Sequence, residues 1–67
     1  MNPLATAEFL ISIKQNEKAK IALDLIKPYA TSIPQMDAIG KLYSDIREFN
    51  DTLELAQRMY DTIGDPQ

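Results

Sequence analysis

The chain has 67 residues, with seven Lys and Arg against ten Asp and Glu, and neither histidine nor cysteine. The net charge of −3 argues against nucleic acid as a partner, because a phosphate backbone favours a basic surface. Lacking histidine and cysteine, the chain has neither the commonest general base nor a thiolate metal site, so we predict no enzyme activity, no metal and no cofactor.

Apolar residues recur every three or four positions along most of the chain, and this spacing predicts four helices. We place them near residues 3–15, 17–31, 34–47 and 51–63. Their predicted inward faces are formed by Phe9, Leu10 and Ile13; by Ile21, Ala22, Leu25, Ile26 and Tyr29; by Met36, Ile39, Leu42, Tyr43 and Ile46; and by Leu55, Ala56, Met59 and Ile63.

Polar residues and prolines mark the predicted ends of these helices. Asn16 and Ser32 are expected to cap the second and third helices, since their side chains can accept a bond from a free backbone N–H. The spacing of Asp51 and Glu54 predicts a capping box for the fourth helix. Pro28 should kink or end the second helix near Lys27, and Gly64 should end the last one.

Three prolines indicate an internal repeat. Pro3, Pro34 and Pro66 are separated by 31 and 32 residues, and each is suited to the first turn of a helix. We therefore predict one all-α domain of two units, residues 1–33 and 34–65, with a third unit starting at 66–67. Each unit would be an antiparallel helical hairpin, and the two would stack side by side. A compact up-down bundle of four helices is the structural alternative.

The two hairpins also align in sequence. Their first helices match at an offset of 33, as in Ala7 with Gly40, and their second helices at an offset of 34, as in Ala22 with Ala56. This comparison predicts a turn one residue longer at Glu48-Phe49-Asn50 than in the first hairpin, because turns absorb such changes.

A unit of about 33 residues made of two antiparallel helices resembles the tetratricopeptide repeat. The second unit carries the likeness in Ile39-Gly40, Tyr43 and Phe49, and it departs from the family pattern at Thr52, Ala56 and Met59. The resemblance implies a scaffold without chemistry, which binds a protein or peptide on the concave surface lined by the first helix of each unit.

Seven residues would line that groove. Leu4 and Ile11 are apolar where the repeat predicts exposure, and the positions around them are polar. The predicted groove residues are Leu4, Glu8, Ile11, Asp37, Lys41, Ser44 and Asp45. The basic and asparagine residues with which some modules of this family hold a carboxylate are absent from these positions, so a chaperone C-terminal tail is not the expected ligand.

Two other functions remain open beside this peptide-binding module. One is a small regulatory or structural protein that acts by self-association, and the other is an accessory segment of a larger enzyme such as a transferase.

Self-association is predicted through the last helix. In a repeat array the next unit covers the second helix of each hairpin, so Leu53, Ala56 and Tyr60 would need further repeats or another copy to cover them. We therefore expect a homo-oligomer of the isolated chain. Residues 1–33 hold four lysines against three acidic residues, and residues 34–67 hold three basic against seven acidic residues. This difference favours contact between opposite ends.

The sequence contains no apolar segment near the roughly 20 residues that span a bilayer. The start of the chain lacks the basic region of a secretory signal. We expect a cytoplasmic protein without a membrane partner.

Overall fold

The computed structural model describes residues 2–64, and this part of the chain is all-α, with no strand. Helix α1 spans Pro3–Ser12, α2 spans Asn16–Ile26, α3 spans Ile33–Asp45 and α4 spans Phe49–Ile63. A short 3₁₀ turn, Lys27–Tyr29, continues α2. The predicted fold class is confirmed. The proposed start of a third unit at 66–67 lies outside the described residues.

The ends of the helices agree with the sequence prediction at some positions and differ at others. Ser32 caps α3 in a reciprocal capping box with Gln35, and Gly64 follows the last residue of α4. The prediction for Asn16 is wrong, because this residue is already helical and Gln15 precedes it without a side-chain cap.

The predicted capping box at Asp51 and Glu54 is also wrong. Helix α4 begins two residues earlier, at Phe49, so Asp51 already lies in its first turn. The Asp51 carboxylate is instead engaged by lysines of the first hairpin.

Pro28 ends α2 as predicted. Two carbonyl oxygens beyond this end accept hydrogen bonds from a side chain of α4. The Arg58 guanidinium donates to the carbonyl oxygens of Lys27, at 2.9 Å, and of Ala30, at 2.6 Å. A guanidinium is a forked donor, so one side chain satisfies two carbonyls at the end of a helix. Arg58 thereby ties the second hairpin to the first.

The two hairpin turns have the same geometry. Lys14 and Arg47, 33 residues apart, both have φ of 64°. In each turn the following N–H reaches back five residues, from Gln15 to Leu10 at 2.8 Å and from Glu48 to Tyr43 at 2.9 Å. This is the Schellman arrangement, in which a left-handed residue ends a helix.

A single offset of 33 therefore relates the hairpins, because Asn16 and Phe49 both start the second helix three residues after Ile13 and Ile46. The predicted longer turn at Glu48-Phe49-Asn50 is wrong. Phe49 and Asn50 are helical, and the offset of 34 came from aligning apolar residues that do not occupy equivalent positions.

The hairpins stack with like helices parallel. Leu4, near the start of α1, and Ile39, in the first half of α3, line the same cleft. Lys20 and then Lys27 along α2 meet Asp51 and then Glu54 along α4. Like helices also run parallel in an up-down bundle, so direction alone does not distinguish the two folds. Among the described residues, α3 packs against both helices of the first hairpin, whereas α1 and α4, which are neighbours in an up-down bundle, are not among the helix pairs in extensive contact. This pattern favours a stack of two hairpins, measuring 44 × 24 × 15 Å.

The core lies between the hairpins, and it confirms the predicted face of α3. Met36, Ile39, Tyr43 and Ile46 are all buried. They pack with buried residues of the other helices, namely Ala7, Leu23, Ala30 and Leu55.

The predicted inward faces of the first hairpin are largely wrong. The exposed residues among them are Phe9, Ile13, Ile21, Leu25 and Tyr29. In the second hairpin Ile63 and Ala56 are exposed as well. The apolar pattern was correct, but within residues 2–64 no helix packs against these sides of α1, α2 and α4.

The left-handed turn residues provide a stability prediction. A side chain at positive φ is strained, whereas glycine is not, so Lys14→Gly should raise the free energy of unfolding by about 1 kcal/mol. The control is Lys18→Gly inside α2, which should lower it by about 1 kcal/mol. Urea denaturation measures both, and a loss of stability in Lys14→Gly would contradict the turn geometry.

Candidate partner-binding groove

An open groove runs between α3 and α4 on the outer side of the second hairpin. Its volume is about 200 Å³. We call it the outer groove, and it is lined by Asp37, Gly40, Lys41, Ser44, Thr52, Ala56 and Met59.

The first hairpin has an equivalent groove, which α3 covers except at one end, where Leu4 and Ile26 line a cleft of about 290 Å³. The offset of 33 relates the outer groove to Leu4, Ala7, Glu8, Ile11, Ala19, Leu23 and Ile26. These residues line what we call the inner groove, between α1 and α2. Helix α3 packs against both of these helices.

Burial shows the effect of α3 on the inner groove. Ala19 and Leu23 are both 0% exposed. Their counterparts Thr52 and Ala56 are half-buried and exposed, respectively. Leu23 belongs to the core cluster that contains Met36, Ile39 and Tyr43 of α3, so α3 contributes to this difference.

Polar groups distinguish the outer groove from the inner one. Asp37, Ser44 and Thr52 occupy the positions of Leu4, Ile11 and Ala19. Lys41 forms an ion pair with Asp37 at 3.0 Å, and the two side chains are 75% and 48% exposed, respectively. Such a pair contributes little stability, so these groups remain available to a ligand at the rim, while Ala56 and Met59 supply an apolar floor.

The seven residues predicted to line a concave groove do not lie together in one such site. Leu4 and Ile11 are half-buried and pack against the core. The expectation that they are exposed is wrong, because α3 covers this side of α1. Asp37, Lys41 and Ser44 line the outer groove instead, and Glu8 and Asp45 are exposed outside it.

The residues predicted for self-association are all exposed. Leu53, Ala56 and Tyr60 lie on α4, and Ala56 belongs to the outer groove. The offset of 33 makes Leu53 and Tyr60 the counterparts of Lys20 and Lys27, the two lysines through which α2 meets α4.

Sequence reasoning missed a charged cluster between the hairpins. Lys27 Nζ donates to Asp51 Oδ1 at 2.7 Å and to Glu54 Oε1 at 2.9 Å. The side chains of Lys27 and Asp51 are only 19% and 15% exposed. Both hydrogen bonds raise the pKa of Lys27, and the bond to Asp51 has the larger effect. In the sequence, charged residues at this spacing are equally typical of a helix face in contact with water. The ion pairs of Lys27 with Asp51 and Glu54 are therefore evident only once the two hairpins are seen to pack together.

Tyr43 and Asp24 extend this cluster into the core. The Tyr43 hydroxyl donates to Asp24 Oδ1, and Lys20 Nζ donates to Asp24 Oδ2 at 3.0 Å. Burial and then the Asp24 carboxylate raise the pKa of Tyr43. Partial burial alone would raise the pKa of Asp24, but the bonds from Tyr43 and Lys20 outweigh it and lower the pKa.

The lowered pKa of Asp24 predicts an acid dependence of stability. The contribution of this carboxylate is present above its ordinary value of 3.8 and is lost as pH falls through the lower value of the folded state. In Asp24→Asn, the urea concentration at half-unfolding should therefore fall less steeply with decreasing pH below about pH 4 than in the wild type. The exposed Asp45→Asn should keep the wild-type decline, and a parallel decline in both variants would contradict the assignment.

Comparison with protein-family models, with curated proteins and with solved structures found no match for this chain. Among the described residues, no helix combines the length and the apolar character needed to cross a bilayer.

Proposed function

We propose that this chain is a non-catalytic interaction module that binds an amphipathic α-helix in the outer groove. The observation that carries the proposal is the filled inner groove. The equivalent backbone, 33 residues earlier, packs against α3, and its residues Ala19 and Leu23 are completely buried. A surface whose equivalent accepts a helix is suited to accept another, and helix-in-groove recognition is a common mode of peptide binding.

The side chains of the outer groove support a ligand of mixed character. An apolar stripe on the ligand would contact Ala56 and Met59. Flanking polar or charged groups would meet Asp37 and Lys41, whose exposed ion pair can exchange partners at little cost.

A tetratricopeptide-like classification belongs to the same proposal. It is supported by the parallel stacking of two hairpins with equal turns and by Gly40, a small residue of α3 that lies against Leu55 of α4. It is also supported by Tyr43, which is fully buried where the hairpins meet. The binding site that we propose is the outer groove and not the concave surface.

A peptide titration tests the groove. The probe is a synthetic peptide of residues 32–47, the segment that fills the inner groove. Added to the ¹⁵N-labelled chain, it should shift the amide signals of Lys41, Ser44, Ala56 and Met59. The peptide is short and mostly unfolded alone, so we expect weak binding in fast exchange.

Two variants complete this test. Ala56→Arg fills the groove floor and should abolish the shifts, whereas Asn50→Arg, an equal change of charge on an exposed part of α4 outside the groove lining, should leave them unchanged. Shifts spread evenly over the chain, or shifts that survive Ala56→Arg, would contradict the proposed function.

A further inference from the structure

We infer that the helix bound in the outer groove is α1 of a second copy, so that chains stack head to tail and repeat the internal contact between hairpins. This inference rests on the proposed function and names its partner. It follows from a comparison of the internal interface with the two free ends of the stack.

The internal interface defines which residues face each other. On the first hairpin, Lys20 and Lys27 point to α4. On the second hairpin, Glu54 and Arg58 reach back to α2, through the Lys27 ammonium and the Lys27 carbonyl oxygen, respectively. Charged groups therefore meet charged or polar groups across this interface.

The offset of 33 gives the corresponding residues at the free ends. Leu53 and Tyr60 stand on the second hairpin where the first has Lys20 and Lys27. Ile21 and Leu25 stand on the first hairpin where the second has Glu54 and Arg58. At both free ends, apolar residues occupy the positions that are charged in the internal interface. Two surfaces that contact each other would need to share such a change.

These four side chains are exposed in the single chain. Ile21, Leu25, Leu53 and Tyr60 are 61%, 68%, 66% and 68% exposed. Head-to-tail stacking would place Leu53 and Tyr60 of one copy beside Ile21 and Leu25 of the next, removing all of them from water.

Polar residues also correspond between the outer groove and the helix α1 that would enter it. Ile39, which lines a cleft with Leu4 and Ile26 between the hairpins, corresponds to Thr6 on α1. Leu4 corresponds to Asp37 of the outer groove. The helix that would enter and the groove that would receive it are therefore both more polar than their internal counterparts.

Charge selects this arrangement over symmetric pairing. The first hairpin has a surplus of one positive charge and the second a surplus of four negative charges. Lys20, Asp24 and Lys27 already contact the second hairpin within the chain, and the other charges of the first hairpin, two lysines and two glutamates, balance to zero. Head-to-tail contact therefore brings an acidic hairpin against a neutral surface, whereas pairing through two copies of α4 brings two acidic hairpins together. A heterologous contact that does not close also allows growth beyond a dimer.

End-blocked variants of the full chain test the inference by sedimentation equilibrium. Tyr60→Glu blocks one end and Ile21→Glu the other, and both positions are exposed, so circular dichroism should remain unchanged. The wild type should form assemblies that grow with concentration. Each variant alone should associate about 10- to 100-fold more weakly, because the contact would bury an unpaired charge.

The decisive sample is an equal mixture of the two variants. Each supplies the end that the other lacks, so the mixture should form dimers and nothing larger. Tyr29→Glu, a matched aromatic-to-acid change outside both ends, should associate like the wild type.

Several results would overturn head-to-tail stacking. These are a monomeric wild type, a monomeric mixture, wild-type association of Ile21→Glu, or a loss of association in Tyr29→Glu equal to that in Tyr60→Glu. A monomeric wild type that still binds the 32–47 peptide would retain the proposed function and reject only the second copy as the ligand. Loss of peptide binding in a variant that still stacks would reject the groove instead.

Discussion

Replacing Leu23 by alanine should lower the free energy of unfolding by about 2–5 kcal/mol, the range for a large-to-small change at a buried site. Leu23 is 0% exposed and belongs to the core cluster between the hairpins. A domain of this size buries only about 60% of its unfolded surface, so the loss approaches the whole stability of the fold. We expect the variant to be largely unfolded at room temperature by circular dichroism.

Leu25→Ala is the matched control for this prediction. Leu25 lies two residues further along the same helix and is 68% exposed. Its truncation should change stability by less than about 0.5 kcal/mol, when measured at a protein concentration low enough to exclude association of the chains. If the two variants unfold at the same urea concentration, the assignment of the inner groove on α2 is incorrect.

Arg58→Met should lower the free energy of unfolding by about 2–3 kcal/mol, because two carbonyl oxygens at the end of α2 lose a charged donor. Methionine retains an apolar stem of similar length and removes the two hydrogen bonds to Lys27 and Ala30. Because these bonds join the hairpins, the variant should also exchange the amides around Ala30 faster with solvent.

Arg58→Lys separates charge from geometry. An ammonium keeps the positive charge but lacks the planar fork that reaches two carbonyls at once, so we expect it to recover less than half of the loss. Full recovery would mean that the charge near the helix end matters more than the paired bonds. Urea denaturation and hydrogen exchange, measured together, distinguish these outcomes.

The number of helices, their order and the inward face of α3 were predictable from the sequence. Helix α3 packs against α1, α2 and α4, so its apolar residues Met36, Ile39, Tyr43 and Ile46 have neighbours to bury them. The cap at Ser32 and the break at Pro28 were predictable for a different reason, since they depend only on local backbone chemistry.

The inward faces of α1 and α2 were not predictable in the same way. The run Ile21 to Ile26 is apolar at five of its six positions, so spacing alone cannot choose between Leu23 and Leu25. The choice depends on which side α3 covers. Similarly, Lys27 and Asp51 are 24 residues apart, and only the stacking of the hairpins brings them together.

The candidate site was predicted in part. Asp37, Lys41 and Ser44 were correctly selected as outward residues of α3, but they were assigned to a surface shared with α1. The offset of 33 was recognised in the sequence for the first helices only, and the equal turns at Lys14 and Arg47 extend it to the second helices and so reveal the outer groove.

Thiol reactivity offers the most direct test of the central claim, which is that equivalent grooves are filled in the first hairpin and open in the second. The chain has no cysteine, so Ala19→Cys and Ala56→Cys each introduce a single thiol, in the inner and the outer groove. At low protein concentration Cys at 56 should react at least about 100-fold faster than Cys at 19, which requires unfolding to become accessible. Equal rates at the two positions would contradict the account.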